Sequence, residues 1–286
     1  MDIGDYYSQS IKGFTKNPLL GIQAVILYFI IYAIVNVTVI YGMIDLFGIN
    51  IMDYTQSTVP MMNTPDLGAI WTFFGIMIIA FVISWIISCI MSVTTIGMSK
   101  RIVLGEKPDL GVALKYVKKY LLKLLAVNII FVIFNFIAVI PLLVGVILIT
   151  LYSNSALSII GLVIGGLITL ILFILVYLFF IFTFQSVIVC KKSIIGSFKD
   201  SFKSVKHNFF EVLVVLIINL LISVAIGFVV GLISAFIGII PIIGFILSAL
   251  ITVIVSGLMF AYFTLVLNYL YMDIKDMIPE KAEYGY

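Results

Sequence analysis

Two stretches of the chain, residues 124–190 and 212–272, contain no aspartate, glutamate, lysine or arginine. Each exceeds sixty residues, and one helical crossing of a bilayer's hydrocarbon needs about 20, so each holds two crossings and a turn. Charge is scarce throughout: 10% of the 286 residues are charged and 64% are apolar. A soluble globule, about a quarter charged, is excluded. The apolar runs are continuous and do not alternate in ten-residue segments, which excludes a β-barrel. Cysteine is limited to Cys89 and Cys190, expected mid-span and at a span's edge. They read as small buried residues, not as a disulfide or metal pair. There is no His-Glu-x-x-His, no paired-cysteine motif and no glycine loop followed by Lys-Ser/Thr, so neither metal nor cofactor is expected. The N-terminus lacks a basic segment, opens with Asp2 and Asp5, and runs into an apolar stretch too long for a cleavable signal.

The basic residues that are present fall into four clusters. Lys12 and Lys16 form the first, and the second holds Lys100, Arg101, Lys107, Lys115, Lys118, Lys119 and Lys123. Lys191, Lys192, Lys199, Lys203 and Lys206 form the third, and Lys275 and Lys281 the last. Segments midway between clusters carry only Asp45, Asp53 and Asp66, or no charge. This is a positive-inside pattern. It predicts spans near 19–44, 68–98, 121–150, 156–188, 210–238 and 242–272, with both termini cytoplasmic in a cell membrane. The connections 45–67, 151–155 and 239–241 are then external. The first is an irregular loop, and the last is a tight turn at Gly238-Ile239-Ile240-Pro241.

Before each odd-numbered span lies a similar segment. Residues 201–210 align without gaps on 113–122 and on 10–19. Apolar positions recur at Phe198, Phe202, Val205 and Phe209, at Leu110, Leu114, Val117 and Leu121, and at Tyr7, Ile11, Phe14 and Pro18. That spacing is one helix face, with lysines on the adjacent face. An amphipathic helix along the inner interface is expected, apolar side toward acyl chains and cations toward phosphates. The predicted headgroup contacts are Lys12, Lys16, Lys115, Lys118, Lys119, Lys199, Lys203, Lys206 and His207. The expected fold is all-α: a single membrane domain over 1–286, with six transmembrane helices as three pseudo-repeated hairpins, each preceded by an amphipathic interfacial helix. The repeat units are roughly 5–99, 105–190 and 193–276. Because all three start on the same side, they are parallel repeats about a pseudo-threefold axis along the membrane normal, unlike inverted transporter repeats.

The segment Gly196-Ser197-Phe198-Lys199-Asp200-Ser201-Phe202-Lys203-Ser204-Val205-Lys206-His207-Asn208-Phe209 resembles the cytoplasmic signature of a prokaryotic group of six-span proteins. That group includes the membrane domain fused to some glycerophosphoryl diester phosphodiesterases. The ending Leu270-Tyr271-Met272-Asp273-Ile274-Lys275-Asp276 is similar to that group's aromatic-Asp-Leu-Arg ending, with Lys275 and Asp276 where a more basic tail is usual. The resemblance implies a stand-alone membrane domain without the phosphodiesterase activity.

Ion-coupled transporters and intramembrane proteases carry ionisable groups inside their spans, and none is expected here. Span polarity is amide and hydroxyl: Asn36, Asn128, Asn135, Asn219, Asn268 and Gln185 are candidates for interhelical bonding or a small cavity, with Asn128 and Asn219 at depths that would let them face one another. Small-residue stripes at Ser84, Ser88 and Ser92, at Gly161 and Gly165, and at Ser223, Gly227, Gly231 and Ala235 suit close helix packing or an oligomer interface. Trp71, Tyr152, Tyr269 and Tyr271 suit interface anchoring. The acids near the inner face (Glu106, Asp109, Asp200, Glu211, Asp273) look dispersed, so an enzyme is not expected. Two readings follow. One is a non-enzymatic membrane-organising scaffold or partner subunit engaging anionic inner-leaflet lipid. The other is a lipid or amphiphile transporter with a cavity among the hairpins. Expected partners are membrane lipids, with a homo-oligomer or a membrane protein partner allowed and nucleic acid excluded.

Overall fold

The computed structural model describes residues 1–47, 67–151, 156–240 and 243–279. Among them the chain forms nine α-helices and no strand: α1 (Ile3–Lys16), α2 (Leu19–Phe47), α3 (Leu67–Val103), α4 (Leu110–Leu151), α5 (Ala156–Phe180), α6 (Thr183–Ile188), α7 (Ile194–His207), α8 (Phe209–Ile237) and α9 (Ile243–Ile274). Six stretches are long and apolar enough to cross a membrane: Leu19–Gly42, Ile70–Val103, Leu110–Leu151, Ile159–Ile188, Phe209–Ile237 and Ile243–Ile274. Most of the expected 45–67 loop, the turn at 152–155 with Tyr152, and Pro241 lie outside the described residues.

The burial pattern is that of a bundle whose solvent is lipid. Large apolar side chains such as Ile78, Phe136, Ile164, Leu220 and Phe228 are exposed, while Ser92, Thr95, Ser99, Thr183, Gln185 and Asn268 are buried. Backbone groups in hydrocarbon have no water to bond, so the chain satisfies them within helices, and the side-chain polarity turns inward.

Two of the three predicted interfacial segments are separate helices, α1 and α7. The second is not: residues 110–123 run straight into the span as one 42-residue helix, α4. The aligned sequences give the reason. Asn17 and Asn208 occupy the same register position and end α1 and α7, each amide donating back to a carbonyl one turn earlier: Asn17 Nδ2 to Gly13 O at 2.9 Å and Asn208 Nδ2 to Ser204 O at 3.1 Å. After Asn17, Pro18 also disfavours continuation of the helix. The matching residue of the second copy is Tyr120, which cannot make that local bond. It is instead buried and stacked on Tyr116 with ring centroids 5.8 Å apart.

Three hairpins pack internally, α2 on α3, α4 on α5, and α8 on α9. Neighbours run in the order α5, α4, α3, α2, α9, α8, with α3 also against α9. A threefold arrangement would close the ring by pairing α5 with α8, but these two helices make no comparable contact. The ring is open along one seam.

The small-residue stripes sort accordingly. A Cβ on Gly165 would run into Pro141 O, and one on Gly145 would lie 2.7 Å from Leu162 Cα, so α4 and α5 meet backbone to backbone. Gly161 faces Leu148 of the same pair. Ser84 and Ser92 are buried, and Ser92 Oγ donates to Ser88 O at 2.9 Å. Gly227 and Gly231 meet nothing, and with Ala235 they are exposed, so the expectation that they pack helices within the chain is corrected. The close α2–α9 contact relies instead on Gly257, where a Cβ would fall 2.6 Å from Val25 Cα. Gly165→Ala is therefore expected to overpack the α4–α5 contact by about 1–3 kcal/mol, whereas Gly231→Ala should stay within about 0.5 kcal/mol of the parent. Thermal unfolding midpoints in detergent measure both; equal midpoints for the two variants would refute this packing.

Candidate functional site

The site begins with a broken helix. The fourth span stops at Phe180 and resumes at Thr183, without a proline or glycine to cause the break. An open backbone at membrane depth is tolerated only where protein or a cavity meets it. Here Ser201 of α7 does so: Phe182 N donates to Ser201 Oγ at 3.1 Å, and Ser201 Oγ donates to Phe179 O at 2.9 Å. Thr183 Oγ1 adds a bond to Phe180 O at 2.7 Å. Aromatic packing seats α7 there, with the Phe198 ring 5.4, 5.9 and 5.2 Å from the rings of Phe131, Phe134 and Phe180.

One cavity adjoins the break and a second lies next to it, along the seam. One, of about 340 Å³, is lined by Ser92 and Ile96 of α3, Asn128 and Phe131 of α4, Tyr177 and Phe180 of α5, Ile181, Phe184 and Gln185 of the break and α6, and Phe260, Thr264 and Leu267 of α9. The other, of about 550 Å³, occupies the seam: Phe173, Ile174, Tyr177 and Leu178 form one wall, Leu213, Leu216, Ile217, Asn219, Leu220 and Ser223 of α8 the other, and Phe263 and Leu267 of α9 the back. Tyr177 and Leu267 belong to both linings. Ile174, Tyr177, Ile217 and Leu220 are exposed, so the larger cavity opens sideways, where lipid would lie. Both volumes fall in the range that holds a small molecule. Every lining residue is uncharged.

The amide candidates separate into three groups. Asn36 and Asn135 donate to carbonyls of their own helices, Tyr32 O at 2.8 Å and Phe131 O at 2.7 Å, and bridge no helices among the described residues. Asn268 is fully buried and ties α9 to α3 through Ile96 O at 3.1 Å. Asn128, Gln185 and Asn219 reach the cavities. Asn128 and Asn219 do not face one another; they line different cavities with Tyr177 and Leu267 between. Asn128 Nδ2 donates to Cys89 Sγ at 3.0 Å. Asn219 Oδ1 accepts from the Tyr7 hydroxyl at 2.9 Å, which links α1 to the seam. Gln185 is 4% exposed, and its Oε1 has no partner.

The basic end of the bundle is held by two polar knots around α9. Asp200 of α7 accepts from Ser186 Oγ at 2.8 Å, Tyr271 hydroxyl at 2.6 Å and Lys275 Nζ at 2.7 Å. Burial pushes its carboxyl up, but these three donors outweigh burial and hold it below the usual carboxylate range. On the other side the buried Tyr6 hydroxyl lies 2.6 Å from Glu211 Oε1 and 2.7 Å from Asp273 Oδ2, and the Met1 amino group donates to Asp273 at 2.8 Å. Burial, then the two carboxylates, push the Tyr6 phenol far above its ordinary value, so it stays a neutral donor. Two acids that look dispersed in sequence, Glu211 and Asp273, thus converge. Tyr269 and Tyr271, expected as interface anchors, are fully buried; Trp71 is exposed. Lys100 and Lys275 are likewise structural, Lys100 Nζ donating to Val189 O at 3.1 Å. Among the described residues no three His, Cys, Asp or Glu side chains come together as metal ligands.

Lys12, Lys16, Lys115, Lys118, Lys119, Lys199, Lys203, Lys206 and His207 are all exposed, and His207 Nδ1 lies 2.9 Å from Lys203 O. Each segment shows three faces in register. Ser10, Ala113 and Ser201 are buried against the bundle, Ile11, Leu114 and Phe202 are exposed apolar residues, and Lys12, Lys115 and Lys203 follow. The small buried face escaped sequence reasoning, although the recurrence of Ser, Ala and Ser before each apolar-Lys pair was its visible signal. Tyr177 and the helix break had none.

Residues 1–271 match the family described as a domain of unknown function, DUF7847, and the chain belongs to that family. No curated protein and no solved structure matches it.

Ser201→Ala would strand the Phe182 N–H in a buried position and is expected to cost about 1–3 kcal/mol, read as a lower unfolding midpoint. Asp200→Asn removes a carboxylate whose native pKa is depressed. Its contribution is present at neutral pH and lost as pH falls through the native value. The variant should therefore be about 2–3 kcal/mol less stable than the parent at pH 7 and converge with it in acid below the carboxylate range. A constant gap across that pH series would show that ionisation of Asp200 is not involved.

Proposed function

We propose that this DUF7847 member is a non-enzymatic membrane protein that admits an amphiphile from the bilayer into the α5–α8 seam, as a lipid-binding or lipid-transporting protein. The observation that carries this reading is the open seam itself: a laterally open, uncharged cavity of about 550 Å³ that adjoins a second of about 340 Å³ beside a broken span. Broken helices at depth mark binding sites in other transporter architectures because freed backbone and cavity go together. A cargo taken from lipid needs no buried ion to bind it, which fits cavities lined without charge.

The reading places the protein in the cell membrane with its basic end and both termini cytoplasmic. The exposed lysines then meet anionic headgroups, each worth about 1 kcal/mol near the surface, and hold the seam at the inner leaflet. The converging Glu211 and Asp273 line neither cavity and are engaged by Tyr6, which supports a structural role over a catalytic one. Likeness of residues 196–209 to the phosphodiesterase-associated membrane domain fits the same picture of a domain that handles lipid without cleaving it. A second reading, a membrane-organising scaffold, draws on the in-register exposed apolar-Lys pairs alone.

Leu220→Trp, at the mouth of the seam, is expected to lower co-purified lipid at least tenfold by native mass spectrometry without shifting the unfolding midpoint. Undiminished lipid in a folded variant would remove the seam from the function. Replacing Lys199, Lys203 and Lys206 together by Gln should weaken liposome association only when the liposomes are anionic; if it does so while seam occupancy is unimportant, the scaffold reading stands instead.

A further inference from the structure

We propose that α1 is a strap, in which Tyr6 and Tyr7 are positioning residues that hold α8 at its distance from α5 and so set the width of the seam. This rests on the seam reading above and adds what controls passage through it. In lipid, a helix is placed by close packing and by hydrogen bonds to its neighbours. α8 has little of the first. It packs closely on one other span, α9, and its Gly227 and Gly231 meet nothing. It therefore lacks the backbone approach that fixes α5 on α4 at Gly145 and Gly165, or α9 on α2 at Gly257.

Among the described residues, the side-chain hydrogen bonds that join α8 to another helix fall near its two ends. Far from the basic end, Ser248 Oγ of α9 donates to Ser234 O at 3.4 Å. At the basic end every such bond is made by α1. The Tyr6 hydroxyl lies 2.6 Å from Glu211 Oε1, and the Tyr7 hydroxyl lies 3.0 Å from Val215 O and 2.9 Å from Asn219 Oδ1. Glu211, Val215 and Asn219 recur at intervals of four and form one face of α8. The seam wall, Leu213 to Ser223, is the same stretch of helix, and Asn219 belongs to both.

The other end of the strap is seated on the packed side of the bundle. A Cβ on Gly13 would lie 2.8 Å from Ile102 Cγ2 of α3 and 3.6 Å from Leu265 Cδ2 of α9. The Phe14 ring meets Tyr262 of α9 edge-on with centroids 6.1 Å apart, and Tyr6 also reaches Asp273 of α9 at 2.7 Å. α1 thus runs from helices fixed by contact to one fixed mainly by two phenol hydroxyls. Releasing those hydroxyls leaves α8 attached at its far end and free to swing at its basic end, where it faces α5.

The test uses the full chain in lipid nanodiscs, with Cys89→Ala and Cys190→Ala and spin labels on exposed positions. One pair, Leu170 with Val224, spans the seam; the other, Val37 with Ile254, spans the α2–α9 contact. Tyr6→Phe combined with Tyr7→Phe keeps both rings and removes only the hydroxyls. It is expected to lengthen and broaden the distance distribution across the seam and to leave the α2–α9 distribution as in the parent. A change in both pairs is general loosening and overturns the strap, as does a change in neither. Should the double variant fail to fold, Tyr7→Phe alone is read in the same way. Lipid exchange separates the strap from the seam reading. Protein loaded in detergent with tritiated phosphatidylcholine and chased with unlabelled liposomes should release label about fivefold faster in the double variant, the factor for losing one hydrogen bond of ordinary net strength. A parental release rate, in protein whose label Leu220→Trp displaces, overturns the strap. If the seam widens but Leu220→Trp displaces no label, the strap stands and the seam is not the lipid site.

Discussion

The backbone at Ile181 and Phe182 sets the constraint on which the rest of this bundle depends. A helix interrupted inside the packed bundle leaves a buried donor and acceptor without helical partners, and Ser201 supplies both from a separate helix. For Ser201 to reach them, α7 must lie against the end of the fourth span. The Phe198 aromatic cluster and the Asp200 knot keep it there. The α7 helix is thus a structural patch over the break, and its placement leaves room for a cavity beside it.

The same requirement explains where the ring stays open. α4 and α5 approach closely enough for glycines to touch backbone, and α9 packs on α2, α3 and α8. No such surface joins α5 to α8. Gly227, Gly231 and Ala235 of the fifth span are exposed and not packed against the fourth. The gap is filled in part by aromatic and branched side chains, with Asn219 and Ser223 as polar groups on its α8 wall. Packing within each hairpin holds the walls of the seam.

Much of this was legible in the sequence. The charge-free runs and four basic clusters are enough to place six spans to within a few residues for most boundaries, because span length follows from bilayer thickness. The three aligned segments reveal α1 and α7, since amphipathic spacing is local. The straight passage through residues 110–123 hinges on a single position, Tyr120 against Asn17 and Asn208, and a helical period alone cannot register the lack of a stop. Tyr269 and Tyr271 look like interface anchors because composition cannot say which side of a helix meets protein.

By itself the sequence determined the class of solvent, the number of crossings, their common polarity and the register of the cationic faces. These are one-dimensional properties: they depend on how many apolar residues occur in a row and where charge interrupts them. Tertiary structure alone decided which helices pack closely, that the α5–α8 pair lacks the close packing of its neighbours, that Glu211 and Asp273 share one tyrosine, and that Asn128 and Asn219 belong to different cavities. Such facts depend on the rotation of each helix about its axis. In lipid that rotation is settled by close packing and a few buried hydrogen bonds between distant residues, none of which leaves a period in the chain.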